Sequence, residues 1–270
     1  MKEIKTNELK KIQVEILDAV HCFCKENNIS YWLDCGTLLG AIRHKGYIPW
    51  DDDIDIGMMR DDYDVFCKTF NGRYKNFEVV CIENKPGFYV PFAKVMDKRT
   101  ILIEEGHTLS VNIDLFVYDN APDNENATKH MFDKRDFYRR IYPYTQKSRD
   151  IGNSNISILK KIARMFLSMV PSDYIIMLMV RNSKKYCKYE TLRIGNFTSY
   201  ARNTCNKTAF SSFVEGEFEG KKYSIPVGYD MWLKSFYGNY MELPPAEERV
   251  SHHTFQAYYK SESDASKENE

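Results

Sequence analysis

Residues 49 to 57 read PWDDDIDIG and place Asp51, Asp52, Asp53 and Asp55 within an otherwise apolar stretch. Carboxylates this close repel one another, so a fold that holds them together needs a compensating cation, a shared proton or full exposure to water. Side chains two positions apart in a strand point to the same side. If residues 53 to 58 form a strand, Asp53 and Asp55 therefore project from one face of a sheet, and Asp51 shares their parity nearer the turn.

A further aspartate interrupts an apolar segment later in the chain. Asp114 lies in VNIDLFVY, residues 111 to 118, between Ile113 and Leu115. A buried aspartate is costly unless it is paired or bound to a metal ion. If this strand lies beside the strand of Asp53, three carboxylates converge on one or two hard divalent cations, a site that suits Mg²⁺ and phosphate oxygens.

The segment CGTLLG, residues 35 to 40, has features of a phosphate site. Gly36 permits close approach of the backbone, Thr37 offers a hydroxyl, and the N–H groups that open a helix favour an anion. Arg43, Lys45 and Lys94 could neutralise phosphoryl oxygens from other sides. The competing interpretations are an ordinary basic helix end for Arg43 and Lys45, and an edge-strand lysine that reaches water for Lys94.

Three other motifs can be compared with the aspartate segment. An EF-hand loop would need glycine where Ile56 stands and glutamate where Asp62 stands, so that interpretation fails. The sequence contains no GxxxxGK[ST], which excludes a P-loop. Asp53 and Asp55 also fit the short DxD motif of metal-dependent sugar-nucleotide glycosyltransferases, and this alternative stays open.

Composition narrows the class of partner. The 38 basic and 38 acidic side chains cancel in a chain of 270 residues, which argues against wrapping a nucleic-acid backbone. The seven cysteines form no CxxC pair, which favours free thiols in a reducing compartment. The N-terminal segment MKEIKTNELKK leads into an amphipathic stretch, and no uncharged apolar run reaches the roughly 18 to 20 residues that cross a bilayer. We therefore expect a cytoplasmic protein.

Periodicity predicts an α+β fold with a mixed sheet core and a mostly helical additional region. We predict a first helix to about residue 27 and further helices over residues 37 to 46 and from residue 61. The predicted strands cover residues 31 to 36, 53 to 58, 76 to 83, 88 to 96 and 110 to 118. Residues 1 to 120 are predicted to form a catalytic core, and residues 121 to 259 a mostly helical region with a C-terminal segment that completes the site. Residues 260 to 270 contain too few apolar side chains to pack, and we expect a disordered tail.

The segment GTLLGAIRHKGYIPWDDDIDIGM, residues 36 to 58, resembles the signature of the LicD family, whose members include bacterial phosphorylcholine transferases and relatives of fukutin. The resemblance continues in KVMDKRT (94 to 100), NIDLF (112 to 116) and IPVGYDMWLKSFYGNYMELPPAEERVSHH (225 to 253). It implies a nucleotidyltransferase-like fold. Gly36 and Thr37 match the family's phosphate-binding positions, and Asp53, Asp55 and Asp114 match its carboxylates.

The resemblance also implies a reaction. A cytidine diphosphate donor gives its phospho-alcohol to a sugar hydroxyl of a cell-surface glycan, such as teichoic acid, lipopolysaccharide or capsule, and CMP is released. Asp53 and Asp55 would hold Mg²⁺, or Mn²⁺, against the donor diphosphate, and Asp114 would complete the site and accept the hydroxyl proton. CDP-choline is the expected donor, with CDP-glycerol and CDP-ribitol as alternatives. A non-catalytic binding module would be marked by loss of a carboxylate, and all of them are present.

Two further expectations concern aromatic and basic segments. A choline headgroup is recognised by aromatic faces, and Tyr47, Trp50 and Tyr89 are candidate contacts for choline or the nucleotide, against the alternative of core packing. The segment SILKKIARMFLSMV, residues 157 to 170, is either a packed helix or a peripheral contact with the inner face of the plasma membrane, where a lipid-linked acceptor would lie.

Overall fold

The computed structural model describes residues 1–104, 106–146, 164–250 and 255–261. The α-helices in these residues are α1 (Thr6–Asn27), α2 (Cys35–Arg43), α3 (Arg60–Thr69), α4 (Glu125–Thr145), α5 (Ser172–Ser183) and α6 (Tyr229–Tyr237). The strands are β1 (Lys2–Ile4), β2 (Trp32–Leu33), β3 (Asp55–Met59), β4 (Phe77–Val80), β5 (Ala93–Asp97), β6 (Thr100–Glu104), β7 (His107–Leu109), β8 (Asn112–Ala121), β9 (Arg193–Gly195), β10 (Thr204–Asn206), β11 (Phe213–Phe218), β12 (Lys221–Pro226) and β13 (Phe255–Tyr259). The predicted α+β class is confirmed.

The chain forms two compact units. The first contains residues 1–80, 93–117 and 205–270, and the second contains residues 81–92 and 118–204. The functional division that the sequence predicts near residue 120 stays a prediction.

The main sheet of the first unit brings the predicted carboxylate strands together. Its strands follow the order β4, β5, β8, β3, β2. The N–H of Asp114 in β8 donates to the carbonyl of Ile54, just before β3, at 2.9 Å. Strand β5 pairs antiparallel with β8 and places Lys94 opposite Asp114. The predicted adjacency of the Asp53 and Asp114 segments is therefore confirmed.

Some predicted elements differ from the observed ones at their ends. The strand predicted over residues 31 to 36 stops at Leu33, because Asp34 is already the N-cap of α2 and its carbonyl accepts from Leu38 N–H at 2.9 Å. The strand predicted over residues 88 to 96 begins only at Ala93, since Pro91 has no N–H to donate to a ladder.

The first unit also contains strands that the sequence analysis did not predict. A second sheet has the order β1, β13, β6, β7 and joins segments from opposite ends of the chain. Strands β11 and β12 form an antiparallel hairpin. Its turn residues Glu219 and Gly220 both have positive φ, 51° and 74°, as a tight two-residue hairpin turn requires. Pairing between segments so far apart in sequence leaves little local signal, and the hairpin lies in a region that we predicted to be mostly helical.

The second unit is built on a helix pair. Ile175, Ile176 and Met179 of α5 form a buried cluster with partly buried side chains that include Tyr138 and Tyr142 of α4. Residues 119 to 121 of β8 pair antiparallel with β9. Within the described residues, no helix combines the length and the apolar character that a bilayer span requires. Residues 157 to 163 of the segment 157 to 170, and residues 262 to 270 of the predicted tail, lie outside the described residues.

Candidate active site

The aspartate loop is tied to the start of helix α2. The N–H of Asp55 donates to Thr37 Oγ1 at 2.8 Å, and the N–H of Asp34 donates to the carbonyl of Asp55 at 2.9 Å. Thr37 is buried. Its hydroxyl therefore positions the strand start, while retaining one proton that it can still donate.

Gly36 is required by the packing of the same loop. A Cβ at Gly36 would come within 2.6 Å of Asp51 Oδ2. The absence of a side chain at Gly36 thus lets the Asp51 carboxyl lie against the beginning of α2. The predicted role of Gly36 toward a phosphate stays a prediction.

The carboxylates of this loop raise one another's pKa. Burial is the main cause that raises the pKa of Asp51 to about 8, followed by the charge of Asp53 and a hydrogen bond to it. Burial likewise raises the pKa of Asp55 well above its usual range, and the charges of Asp53, Asp114 and Asp34 raise it further. At neutral pH the cluster therefore favours the uptake of protons or of a cation.

Lys94 and Asp114 form an ion pair within the sheet. The Lys94 ammonium also donates to Asn112 Oδ1 at 3.1 Å, and the lysine is buried. Burial raises the pKa of Asp114, whereas the charge and hydrogen bond of Lys94 lower it. Lys94 thus lies at the carboxylate cluster, as the phosphate-site hypothesis requires, and does not extend from an edge strand into water.

Arg43 and Lys45 lie at the end of α2. The Arg43 guanidinium donates through Nη1 to the carbonyls of Tyr240 (2.7 Å) and Glu242 (3.1 Å), so it holds the C-terminal segment beside α2. Lys45 is exposed and has a φ of 63°, and its carbonyl accepts from Glu219 N–H at 3.0 Å. Phosphate binding by either residue stays a prediction.

The three candidate aromatic contacts have different surroundings. The Tyr47 hydroxyl donates to Gln13 Oε1 at 2.9 Å, and burial raises its pKa. Trp50 is half-buried, and its ring lies edge-on to His44 at 6.4 Å between centroids. Tyr89 belongs to the second unit, where its ring lies 5.7 Å from that of Phe88.

Three residues that the sequence analysis missed lie at this site. Asp34 is fully buried and accepts from Trp232 Nε1 at 2.8 Å. Burial raises the pKa of Cys35, and so do the charges of Asp34 and Asp55. Burial also raises the pKa of Tyr237, and the nearby groups Cys35, Asp55, Asp34 and Asp51 raise it further. The Tyr237 hydroxyl is therefore influenced by the charges of the cluster. Asp34 and Cys35 adjoin the predicted phosphate segment, whereas only the C-terminal resemblance could have indicated Tyr237.

The donor chemistry of the cluster suits a hard divalent cation. Carboxylate oxygens are the ligands that Mg²⁺ and Mn²⁺ prefer. A cavity of about 50 Å³, room for one or two water molecules, is lined by residues that include Asp53, Asp114 and Lys94. Among the described residues, no three His, Cys, Asp or Glu side chains are already arranged around a common ion position. The ligand types therefore fit, and a cation would require side chains of the cluster to turn toward it.

Comparison with known proteins decides the family. A family model described as the LicD/FKTN/FKRP nucleotidyltransferase domain matches residues 28 to 149. The chain is 32% identical over 267 residues to the lipopolysaccharide cholinephosphotransferase LicD of Haemophilus influenzae, which covers 96% of this chain and 99% of that protein. The chain belongs to the LicD family.

A second relative of the LicD-family chain matches over a short segment. The human ribitol 5-phosphate transferase FKRP is 53% identical over 34 residues, 13% of this chain and 7% of that protein. The matched family domain contains the candidate carboxylates Asp53, Asp55 and Asp114, whereas Tyr237 lies beyond it.

The raised pKa of Asp51 predicts how pH affects the stability of this LicD-family chain. The folded state binds the Asp51 proton more tightly than the unfolded state, so the free energy of unfolding falls as pH rises from about 4 toward 8. We expect Asp51→Asn to raise the melting temperature in chelator-treated buffer at pH 8, with a difference that shrinks toward pH 5. Differential scanning calorimetry over this range measures it.

The exposed Asp61 offers a matched control for this measurement. Asp61→Asn should change the melting temperature by a similar small amount at pH 5 and at pH 8. An Asp51→Asn variant that is less stable than the wild type at pH 8, or equally shifted at both pH values, would contradict the prediction.

Proposed function

We propose that the chain transfers phosphocholine from CDP-choline to a sugar hydroxyl of a cell-surface glycan and releases CMP. The nearly full-length similarity to a lipopolysaccharide cholinephosphotransferase supports transferase chemistry of this kind. The observation that carries the proposal is the group of half-buried aspartates Asp51, Asp55 and Asp114, whose pKa values are raised first by burial and further by the charge of Asp53. Such a group is costly unless the site uses its negative charge.

In the proposed mechanism Asp53 and Asp55, with Asp114, would hold Mg²⁺ or Mn²⁺. A bound cation would neutralise charge on the donor diphosphate. The sugar hydroxyl attacks the phosphorus that carries choline, the bond from that phosphorus to the bridging oxygen of CMP breaks, and the hydroxyl proton passes to the Asp114 carboxylate. The ion pair with Lys94 favours the deprotonated form of Asp114 that this step needs.

Transfer of ribitol phosphate is the second candidate, because the human relative FKRP is a ribitol 5-phosphate transferase. A DxD glycosyltransferase remains the alternative of a different reaction type. It would release a nucleoside diphosphate and attach a sugar. The mass of the released nucleotide therefore distinguishes phosphodiester transfer from sugar transfer.

A peripheral membrane contact is proposed for a lipid-linked acceptor. In the second unit, large side chains next to and within α5 are exposed to solvent: Met165, Phe166, Met169, Tyr174 and Met177. Basic residues follow them along the chain at Arg181, Lys185 and Lys188, which are also exposed. Exposed apolar side chains flanked by cations are typical of proteins that bind anionic lipid surfaces.

The first prediction for this function concerns the carboxylates. Asp53→Asn, Asp55→Asn and Asp114→Asn should each lower transfer by at least about a hundredfold, because each removes a charge that the reaction uses. Release of CMP from CDP-choline in the presence of acceptor glycan measures it. Asp61→Asn is the exposed control and should keep full activity, and full activity in any of the three variants would remove that residue from its role.

The second prediction concerns the donor. CDP-choline should bind at least about tenfold more tightly than CDP-ribitol or CDP-glycerol, about 1.4 kcal/mol, because a quaternary ammonium gains from aromatic faces that a polyol cannot use. CDP-ethanolamine should bind more weakly than CDP-choline, since its ammonium is more strongly hydrated. Titration calorimetry with Mg²⁺ gives these affinities. A preference for a polyol donor would reject the choline assignment and leave phosphodiester transfer in place.

The third prediction concerns the membrane. The protein should float with anionic liposomes at low salt, and a double variant Met165→Ser, Phe166→Ser should remain in the soluble fraction, because it lacks apolar side chains that enter the interface. Absence of wild-type flotation at low salt would exclude the membrane contact. Equal flotation of the double variant would show that these side chains do not mediate it.

A further inference from the structure

A cleft of about 740 Å³ in the first unit combines aromatic rings with carboxylates. We call it the aromatic cleft, and the side chains of its lining that matter here are Arg43, Trp50, Tyr237, Tyr240, Glu242 and Glu248. Its volume lies within the range typical of small-molecule sites.

The aromatic cleft adjoins the carboxylate cluster. Trp50 directly precedes Asp51 in the chain. Tyr237, which also lines the cleft, is 42% exposed, and its pKa is raised by burial and by nearby groups that include Asp55 and Asp51. A ligand whose phosphates lie at the carboxylates could therefore extend its other end into the aromatic cleft.

The lining supplies carboxylates with which a cation can pair. Glu242 and Glu248 contribute two carboxylates, against the guanidinium of Arg43 in the lining and that of Arg249 beside the Trp50 ring. The Arg43 guanidinium donates to the carbonyls of Tyr240 and Glu242, which partly compensate its charge. Aromatic faces together with carboxylates are the groups that bind quaternary ammonium ions.

A cation of the chain itself already lies on the Trp50 ring. The guanidinium carbon of Arg249 is 5.8 Å from the ring centroid, within cation–π range. Arg249 Nε also donates to the carbonyl of Pro244 at 2.8 Å, which fixes the side chain in this place. The ring of Trp50 thus already has a positive group beside it in the free protein.

We propose that the aromatic cleft binds the quaternary ammonium end of the donor on the Trp50 ring, and that Arg249 occupies this position in the free protein until the ligand displaces it. The link to a donor rests on the proposed function, whereas the cation site itself does not. Arg249 then competes with the ligand, so removing its charge strengthens binding. If Arg249 instead bound the donor phosphates, removing its charge would weaken binding.

Calorimetric titration of wild type and Arg249→Gln with CDP-choline and with CDP separates these cases. We expect Arg249→Gln to bind CDP-choline roughly two- to thirtyfold more tightly, the range of one cation–π contact, with the affinity for CDP unchanged. Trp50→Leu should weaken the binding of CDP-choline by a similar factor and leave the binding of CDP unchanged. Trp50→Phe should retain most of the affinity for CDP-choline. Weaker binding of both ligands by Arg249→Gln, or no change in either, would overturn the proposal.

A second measurement tests the cation site without a nucleotide. Trp32 and Trp232 are fully buried and Trp50 is half-buried, so quenching of tryptophan fluorescence by acrylamide reports mainly on Trp50. Tetramethylammonium chloride should protect Trp50 from quenching, at lower concentration in Arg249→Gln than in wild type, and sodium chloride should not. No protection by tetramethylammonium would overturn the cation site. Protection without any binding of CDP-choline would support the cation site and reject CDP-choline as the donor.

Discussion

The first unit has to hold Asp51, Asp53, Asp55 and Asp114 close together although their charges repel one another. Backbone hydrogen bonds between neighbouring strands fix where these residues lie, and the Asp55 N–H to Thr37 bond ties the loop to α2. The Lys94 ammonium offsets part of the charge at Asp114. Burial, and after it the remaining repulsion, raises the pKa values of Asp51 and Asp55, which means that the ionised cluster destabilises the folded protein.

In the proposed site, this destabilisation of the free protein favours the binding of a cation. A carboxylate group that is unfavourable alone becomes favourable when a divalent cation and a phosphate occupy it together. The aromatic cleft lies beside the cluster, with Trp50 and Tyr237 on its lining. In the proposed function the cluster, with its cation, takes the anionic part of the donor, and in the proposed cation site the cleft takes its cationic headgroup.

Local patterns in the sequence predicted that the segments of Asp53 and Asp114 lie side by side, and the structure confirms this through the Asp114 N–H to Ile54 carbonyl bond. The parity argument applies less well to Asp53, because the strand predicted from residue 53 begins only at Asp55. The role of these carboxylates in catalysis stays a prediction. The partner of Lys94 and the carbonyls bound by Arg43 depend on long-range pairing, which periodicity does not report. Tyr237 reaches the cluster from α6, nearly two hundred residues away along the chain. The β11–β12 hairpin depends on its Glu219–Gly220 turn, a signal that the helical interpretation of this region overlooked.

The central claim, that the aspartates are held together for a divalent cation, is tested most directly by thermal unfolding with and without MgCl₂ at pH 7.5 and constant ionic strength. A ligand that binds only the native state raises the melting temperature. The account predicts that Mg²⁺ raises the melting temperature of the wild type and of Asp61→Asn to the same extent, and that Asp53→Asn loses most of this increase. An equal increase in all three proteins, or none in the wild type at millimolar Mg²⁺, would contradict it.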